Sequence, residues 1–295
     1  EWFVGWDHDV LEKLEEMPFY HLGALVICSE KGNTYQLTGE CEDYLNASEK
    51  DLCSIDEHIV FHKMKELSQE LYVDMRRFLI EHPLLSSLDR KEFLLSHEND
   101  SNCREIIGDA YESISADSYV CPNCGWTLSL IGQQPVCCHR DCEKSYFTSR
   151  EEIKSVGLQY EYRLKKGVMR YISYPGRAEL EIKVICDRLA LKSELWPERD
   201  RYDIKISFSN GTCWGIDAKT YGNPYLLSQS IKNDYDFQSV HIDRKFYVIP
   251  DSIVANKKGY LKVCNDALKN CPVGCVSMKS FYKRLKEEAG KRERN

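Results

Sequence analysis

Apolar positions recur with a helical period through most of the first 118 residues, then switch to a period of two between Tyr202 and Lys219. Val10-Leu11-Glu12-Lys13-Leu14-Glu15-Glu16 carries the helical spacing. Ile59 to Ile80 is the longest stretch of this kind, ended by Pro83, which cannot continue a helix. Shorter helices are expected over about 89–95 and 103–115. Ala24-Leu25-Val26-Ile27-Cys28 is a brief apolar run. Tyr35-Gln36-Leu37-Thr38, beyond the Lys31-Gly32-Asn33 turn, is its expected hairpin partner.

The period of two is clearest in Tyr202-Asp203-Ile204-Lys205-Ile206-Ser207-Phe208, which puts Ile204, Ile206 and Phe208 on one face. Ser209-Asn210-Gly211 is the expected hairpin turn, Asn-Gly supplying the positive φ angles that such turns need. The return strand Cys213-Trp214-Gly215-Ile216-Asp217-Ala218-Lys219 sets Asp217 and Lys219 on the same side. An antiparallel pairing then brings Asp203 to Asp217, so two carboxylates and an ammonium converge at the open end of an apolar hairpin. From about residue 178 the order of elements reads helix, strand, turn, strand, helix, strand, helix. The tail Phe281–Asn295 reads as a charged, fraying helix.

Composition narrows the function. With 42% apolar and 29% charged residues this is an ordinary globular chain, and no apolar run approaches the roughly 20 residues that span a bilayer. The opening Glu1-Trp2-Phe3-Val4-Gly5-Trp6 lacks the basic start of a signal peptide, so a cytoplasmic location is expected and no membrane partner. The net charge of −7 hides a division. Residues 1–120 hold 10 Lys/Arg against 26 Asp/Glu, a net of −16; residues 121–295 hold 30 against 21, a net of +9. The second half is therefore the one suited to phosphates. His58 and His62, one helical turn apart, lack an obvious third ligand and read as a solvated helix surface.

Of 14 cysteines, the close cluster is at 121–142, and without a secretion signal it points to metal and not to disulfides. Cys121-Pro-Asn-Cys124-Gly-Trp126 is a knuckle, in which Gly125 allows the tight turn that aims two thiolates at one ion. The second pair falls within Cys137-Cys138-His139-Arg140-Asp141-Cys142. Cys121, Cys124, Cys138 and Cys142 are the expected ligands of a structural Zn²⁺, with Cys137 or His139 able to replace Cys138. Cys271 and Cys275, with no second pair, read as structural or incidental.

Asp203 and Asp217 are hard oxygen donors suited to Mg²⁺ or Mn²⁺, and Lys219 could orient a water or stabilise charge developing on a phosphate. Such a set suits phosphodiester hydrolysis. Pro175-Gly176-Arg177 precedes a helix in whose first turn Glu179 is expected, on the inward face with Ile182, Cys186 and Leu189. Arg163, Lys165, Lys166, Arg170 and Arg177 form a basic stretch able to bind a nucleic-acid backbone. Gln229 is a weaker candidate near the phosphate.

The order helix with Glu179, strand with Asp203, strand with Asp217-Ala218-Lys219, then helix and strand resembles the PD-(D/E)xK restriction-endonuclease-like superfamily. Tyr202-Asp203 replaces its usual Pro-Asp. Tyr72-Val-Asp-Met-Arg76-Arg77-Phe78, Cys121-Pro-Asn-Cys124-Gly-Trp126, Tyr174-Pro175-Gly176-Arg-Ala-Glu179-Leu, Trp196-Pro197 with Arg201-Tyr202-Asp203, and Phe246-Tyr247-Val-Ile-Pro250-Asp251 look like motifs of one family within it. That family is the restriction-endonuclease-like component encoded beside PIWI-type Argonaute relatives and helicases in bacterial defence islands. The likeness runs over about residues 70–265. It implies a defence nuclease working on invading DNA with a PIWI-like protein and a helicase, metal binding by Asp203 and Asp217, a catalytic Lys219, and support from Glu179.

The expected architecture is α+β and multidomain: a mainly helical region over 1–118, a zinc ribbon over 119–150, and a nuclease-like α/β domain with a mixed central sheet over 151–295. The competing function is a non-catalytic adaptor, docking nucleic acid or protein through the ribbon and a nuclease-like fold. Retention of two repelling carboxylates favours the enzyme. Double-strand breaks would need two subunits or two events, so a dimer is compatible with this reading.

Overall fold

The computed structural model describes residues 55–114, 118–131, 134–137, 139, 142, 154–157, 159–233, 242–269 and 273–290, with the short segments 26–28 and 35–37. The chain divides into two units, Glu1–Ser54 and Ile55–Asn295. In the first, Val26–Cys28 pairs antiparallel with Tyr35–Leu37, Val26 opposite Leu37, as the apolar runs predict. The helix expected over Val10–Glu16 lies outside the described residues. No helix among the described residues is long and apolar enough to cross a membrane.

The second unit begins with a helix over residues 55–66, then α1 (Gln69–Glu81). One continuous helix is expected here, but Ser68 interrupts it. Its backbone is extended, and its side chain accepts from Leu71 N at 3.3 Å, a local bond that competes with helix continuation. Two shorter helices, Ser87–Ser96 and Ser101–Ala110, follow at the expected places. The second ends earlier than its periodicity suggests. Tyr111–Ser113 leaves it to pair with Tyr162–Leu164, which also pairs with Leu84–Leu85. The Tyr111 ring is buried and its hydroxyl donates to the His82 carbonyl at 2.8 Å, so tertiary packing overrides local propensity. Lys154–Ser155 joins the strands Tyr119–Val120, Thr127–Ile131 and Gln134–Val136 in a small sheet.

Helical structure resumes at Lys166–Val168, widens into a π-helical turn at Met169–Ser173 and continues as α2 (Tyr174–Arg188). Glu179 therefore sits well inside a helix and not in a first turn, which removes the helix dipole as its reason for being there. α1 and α2 approach closely at Gly176, where a Cβ would stand 2.3 Å from Ile80 Cδ1.

A five-stranded mixed sheet holds the rest, in sequential order: β1 (Lys192–Leu195), β2 (Ile204–Ser207), β3 (Cys213–Ala218), β4 (Arg244–Ile249) and β5 (Val273–Ser277). The β1–β2 and β2–β3 pairs are antiparallel, β3–β4 and β4–β5 parallel. The expected hairpin is present, with Ile204 opposite Ile216. Its turn works differently from expectation: Gly211 alone has positive φ (84°), while the Asn210 carboxamide oxygen accepts from Thr212 N at 3.0 Å. β1 and β5 were not evident from periodicity.

Alternation along these strands separates two apolar layers. Trp214, Ile216, Phe246 and Val248 share a buried cluster with Ile182 and Cys186 of α2 and with Phe281 and Leu285 of α5 (Met278–Gly290). Trp214 stands 5.0 Å from Phe246 and Phe246 5.8 Å from Phe281, ring centre to ring centre. Tyr247 and Ile249 instead join Leu227 and Ile231 of α3 (Pro224–Asn233) and Tyr260 and Cys264 of α4 (Tyr260–Ala267). The first cluster also takes in Met75, Leu79, Cys121 and Trp126, so the helical, cysteine-rich and sheet segments share one core.

Candidate catalytic and metal-binding sites

The knuckle folds as its sequence requires. Gly125 has φ 75°, and its N–H donates to the Cys121 carbonyl at 2.9 Å, while Cys121 N donates to the Trp126 carbonyl at 2.7 Å. The sulfurs of Cys121, Cys124, Cys137 and Cys142 all lie within 4.8 Å of one another, and all four residues are buried. Cys124 and Cys137 are 3.6 Å apart at sulfur. A tetrahedron with metal–sulfur bonds of about 2.3 Å has edges of about 3.8 Å, so this set fits a single soft or borderline cation. Asn123 Nδ2 donates to Cys142 Sγ at 3.2 Å and His139 N to Cys137 Sγ at 3.4 Å, the bonds that a thiolate would accept. Hydrogen bonds from Cys124, Cys137 and Cys142 pull the Cys121 thiol far below its ordinary pKa.

Cys137 thus occupies the fourth corner, one of the two alternatives named for it, and Cys138 lies outside the described residues. His139, the other alternative, is buried and stacks on Tyr174 at 3.7 Å, tying the cluster to the start of α2. Trp126 anchors it from another side, its indole N–H donating to the Leu164 carbonyl at 2.8 Å.

The second site lies on the sheet face that carries Gly215 and Asp217. Continuing the β2–β3 register by one step puts Asp203 opposite Asp217, and Asp203 N points to Asp217 Oδ1 at 3.4 Å. Asp203 Oδ2 accepts from Ala218 N at 2.6 Å. Both carboxylates are 8% exposed, too buried for solvent to screen them well. Burial, together with Glu179 and Asp217, pushes the Asp203 carboxyl well above the ordinary range. Burial works against the Lys219 ammonium, but Asp203 and Asp217 outweigh it and hold it charged. Lys219 N donates to the Val248 carbonyl at 2.9 Å, so strand pairing persists up to the lysine.

Glu179 approaches this pair but is engaged elsewhere. Arg76 Nη2 lies 3.0 Å from each of its carboxylate oxygens, and the Trp196 indole N–H donates to Oε2. Burial raises its pKa, and Arg76 counters it. Glu179 does not complete a cluster of three metal-ligating groups with Asp203 and Asp217; among the described residues the four cysteines are the group that does.

Two partners escaped the sequence reading. Lys245 on β4 forms a 2.8 Å ion pair with Asp217 Oδ2 and lies over the rings of Tyr202 and Tyr247. Arg76 belongs to the motif that begins at Tyr72, but nothing in its helical spacing placed it beside Asp203, whose Oδ1 is 4.0 Å from Nη2. Gly215, directly between Lys205 and Lys245 in register, leaves the room that the Tyr202 ring fills: a Cβ there would stand 3.2 Å from Tyr202 Cδ1.

The turn Pro197–Asp200 leading to Asp203 is left-handed, with positive φ at Trp196 (45°), Glu198 (54°), Arg199 (56°) and Asp200 (81°). Each such non-glycine residue costs about 1–3 kcal/mol and persists when its surroundings hold it.

The basic stretch is partly used by the fold. Arg163 pairs with Glu112 at 2.8 Å and bonds Thr127 Oγ1 at 2.6 Å, and Lys165 pairs with Asp56 at 3.1 Å. Arg170 lies over Tyr171 and exposed Arg177 over Tyr174; Lys166 is half-buried. Gln229 is exposed on α3.

The hairpin with two carboxylates and a lysine at its open end, most of α2 and the parallel strands lie within one family-matched segment, whose description suggests a restriction-endonuclease-like domain. Residues 176–293 match the family described as "REase associating with pPIWI_RE", and the chain is pPIWI_RE REase-like over that segment. The match contains Glu179, Asp203, Asp217 and Lys219; α1 and the cysteine cluster precede it. No curated protein and no solved structure matches the chain.

Proposed function

We propose that this protein is a metal-dependent endonuclease that hydrolyses DNA phosphodiester bonds. The supporting observation is the pair Asp203 and Asp217, buried, adjacent and facing Lys219 on one side of the sheet. Two close carboxylates repel each other, and a divalent cation between them relieves that repulsion. Their oxygens suit Mg²⁺ or Mn²⁺, with Asp203 and Asp217 as the ligands. When bound, the ion supplies Lewis-acid polarisation of a phosphoryl oxygen and lowers the pKa of a water. Lys219 keeps its proton beside the carboxylates and stabilises negative charge on the phosphate as it develops. Glu179, held by Arg76 and Trp196, supports the pair from outside the ligand set. Lys166, Arg170 and Arg177 contribute backbone-positioning charge, with a smaller share from Lys165 because of Asp56.

The cysteine set holds a structural Zn²⁺, closed to substrate by its four thiolates. The family's name ties the domain to a PIWI-like system. On this reading the enzyme is cytoplasmic and acts in anti-phage or anti-plasmid defence with a PIWI-like protein and a helicase. An adaptor without catalysis has no need of the Asp203–Asp217 repulsion.

Incubation with single- and double-stranded DNA and Mg²⁺ or Mn²⁺ tests the reading, beside folded Asp217→Ala and Lys219→Ala variants. The wild type cuts and both variants lose at least about 100-fold, the scale of losing a key electrostatic group. Equal cleavage by all three proteins overturns the assignment.

A further inference from the structure

We infer that Arg76 and Gln69 of α1 are positioning residues for the metal pair: they hold the left-handed turn before β2 and thereby set where Asp203 stands. The inference rests on the reading of Asp203 and Asp217 as a cation site and adds to it a control element outside the family-matched segment.

Arg76 is 6% exposed, and its guanidinium meets three carboxylates from three places in the chain. Nη2 binds both oxygens of Glu179 on α2 at 3.0 Å, and Nη1 stands 2.6 Å from Asp200 Oδ1 in the turn. Nη2 is also 4.0 Å from Asp203 Oδ1, and Nη1 donates to Tyr72 Oη at 3.0 Å. The guanidinium carbon lies 4.8 Å from the centre of the Trp196 ring. Arg76 Nε is buried without a partner. A buried charge cluster of this kind is a poor device for stability, since apolar residues of the same volume commonly do as well. It specifies geometry, because a planar fork accepts its carboxylates in few arrangements.

Gln69 grips the same turn by its backbone. Gln69 Nε2 donates to the Trp196 carbonyl at 2.9 Å, and Arg199 N donates to Gln69 Oε1 at 2.9 Å. Lys65 donates to the Arg199 carbonyl, and Arg199 Nη1 returns to the Lys65 carbonyl at 2.7 Å. Non-glycine residues do not hold successive left-handed conformations unaided, so these contacts define the turn. The turn in turn defines Asp203: Trp196 N donates to the Asp203 carbonyl at 2.9 Å, closing the chain from α1 to the metal ligand. Asp203 stands just before β2, where this bond extends the β1–β2 pairing one step beyond Leu195 and Ile204.

Mn²⁺ binding, measured by calorimetry on the full chain, tests this without relying on cleavage. Gln69→Ala removes the backbone grip and keeps every charge; Arg76→Lys keeps the charge and removes the fork. Both variants are first shown to unfold cooperatively with wild-type circular dichroism; if one fails, the other decides. The expected result is a roughly 10–100-fold weaker Mn²⁺ affinity in each, the range typical of outer-shell partners of metal ligands. Cleavage of a labelled DNA then needs a roughly 10–100-fold higher Mn²⁺ concentration for half-maximal rate and recovers toward the wild-type rate at saturating Mn²⁺, which a smaller folded fraction would not produce. Wild-type affinity in the folded variants overturns the positioning role alone. Absence of Mn²⁺ binding in the wild type, or binding that Asp217→Ala leaves intact, overturns the cation site and the inference with it.

Discussion

Replacing Gly176 with alanine presses a methyl group into the contact that joins α1 to α2. The new Cβ would stand 2.3 Å from Ile80 Cδ1 and 2.6 Å from Cγ1, where non-bonded carbons prefer about 3.5–4.0 Å. Ile80 is 5% exposed and β-branched, so it has little freedom to withdraw. Overpacking of this kind costs about 1–3 kcal/mol. Alanine's better helix propensity returns up to about 1 kcal/mol, leaving a net loss near 1–2 kcal/mol. For a unit of this size that lowers Tm by about 2–4 °C per kcal/mol. Ile80→Ala alone leaves a cavity and costs about 2–5 kcal/mol. In the double variant the methyl added at position 176 enters that cavity, where the remaining Cβ of residue 80 is an ordinary 3.7 Å away. Urea and thermal denaturation of the four proteins gives a cycle in which helix propensity cancels. The double variant is expected to be no less stable than Ile80→Ala, with a favourable coupling of about 1–3 kcal/mol. Additive losses, or an unchanged Gly176→Ala protein, refute the packing argument.

Two further outcomes are expected. Cys121→Ser lowers zinc content from about one ion per chain toward none, and exposes Trp126, now 4% exposed, as a red-shifted fluorescence; full zinc retention contradicts the four-thiol site. Lys245→Met removes the 2.8 Å partner of Asp217 and destabilises the metal-free protein by about 1–2 kcal/mol, between the values for exposed and buried pairs. Saturating Mn²⁺ recovers most of that loss in thermal melts, and a loss indifferent to Mn²⁺ contradicts the shared site.

The central hairpin was legible because alternation, an Asn-Gly turn and apolar faces agree there, and they place Asp203, Asp217 and Lys219 together. The cysteine knuckle was legible for the same reason of spacing, although adjacent Cys137 and Cys138 offer equivalent ligands to any sequence argument. β5 lies beside Pro272 and contains Gly274, residue types that strands disfavour, so no strand pattern shows in the sequence around Cys275. β1, Lys192–Leu195, carries one apolar residue in four and owes its existence to pairing with β2. Arg76 and Lys245 reach the site from distant segments, and no local pattern encodes such an approach. The basic stretch from Arg163 was visible as charge, but Glu112 and Asp56, its partners, lie more than 50 and 100 residues away.

Diffraction from crystals soaked in Mn²⁺, recorded for its anomalous signal, tests the claimed catalytic centre most directly. One peak is expected in contact with carboxylate oxygens of both Asp203 and Asp217, beside Lys219, at about 2.0–2.2 Å, and none in an Asp217→Ala crystal. Manganese bound elsewhere, with both aspartates unligated, would contradict that centre.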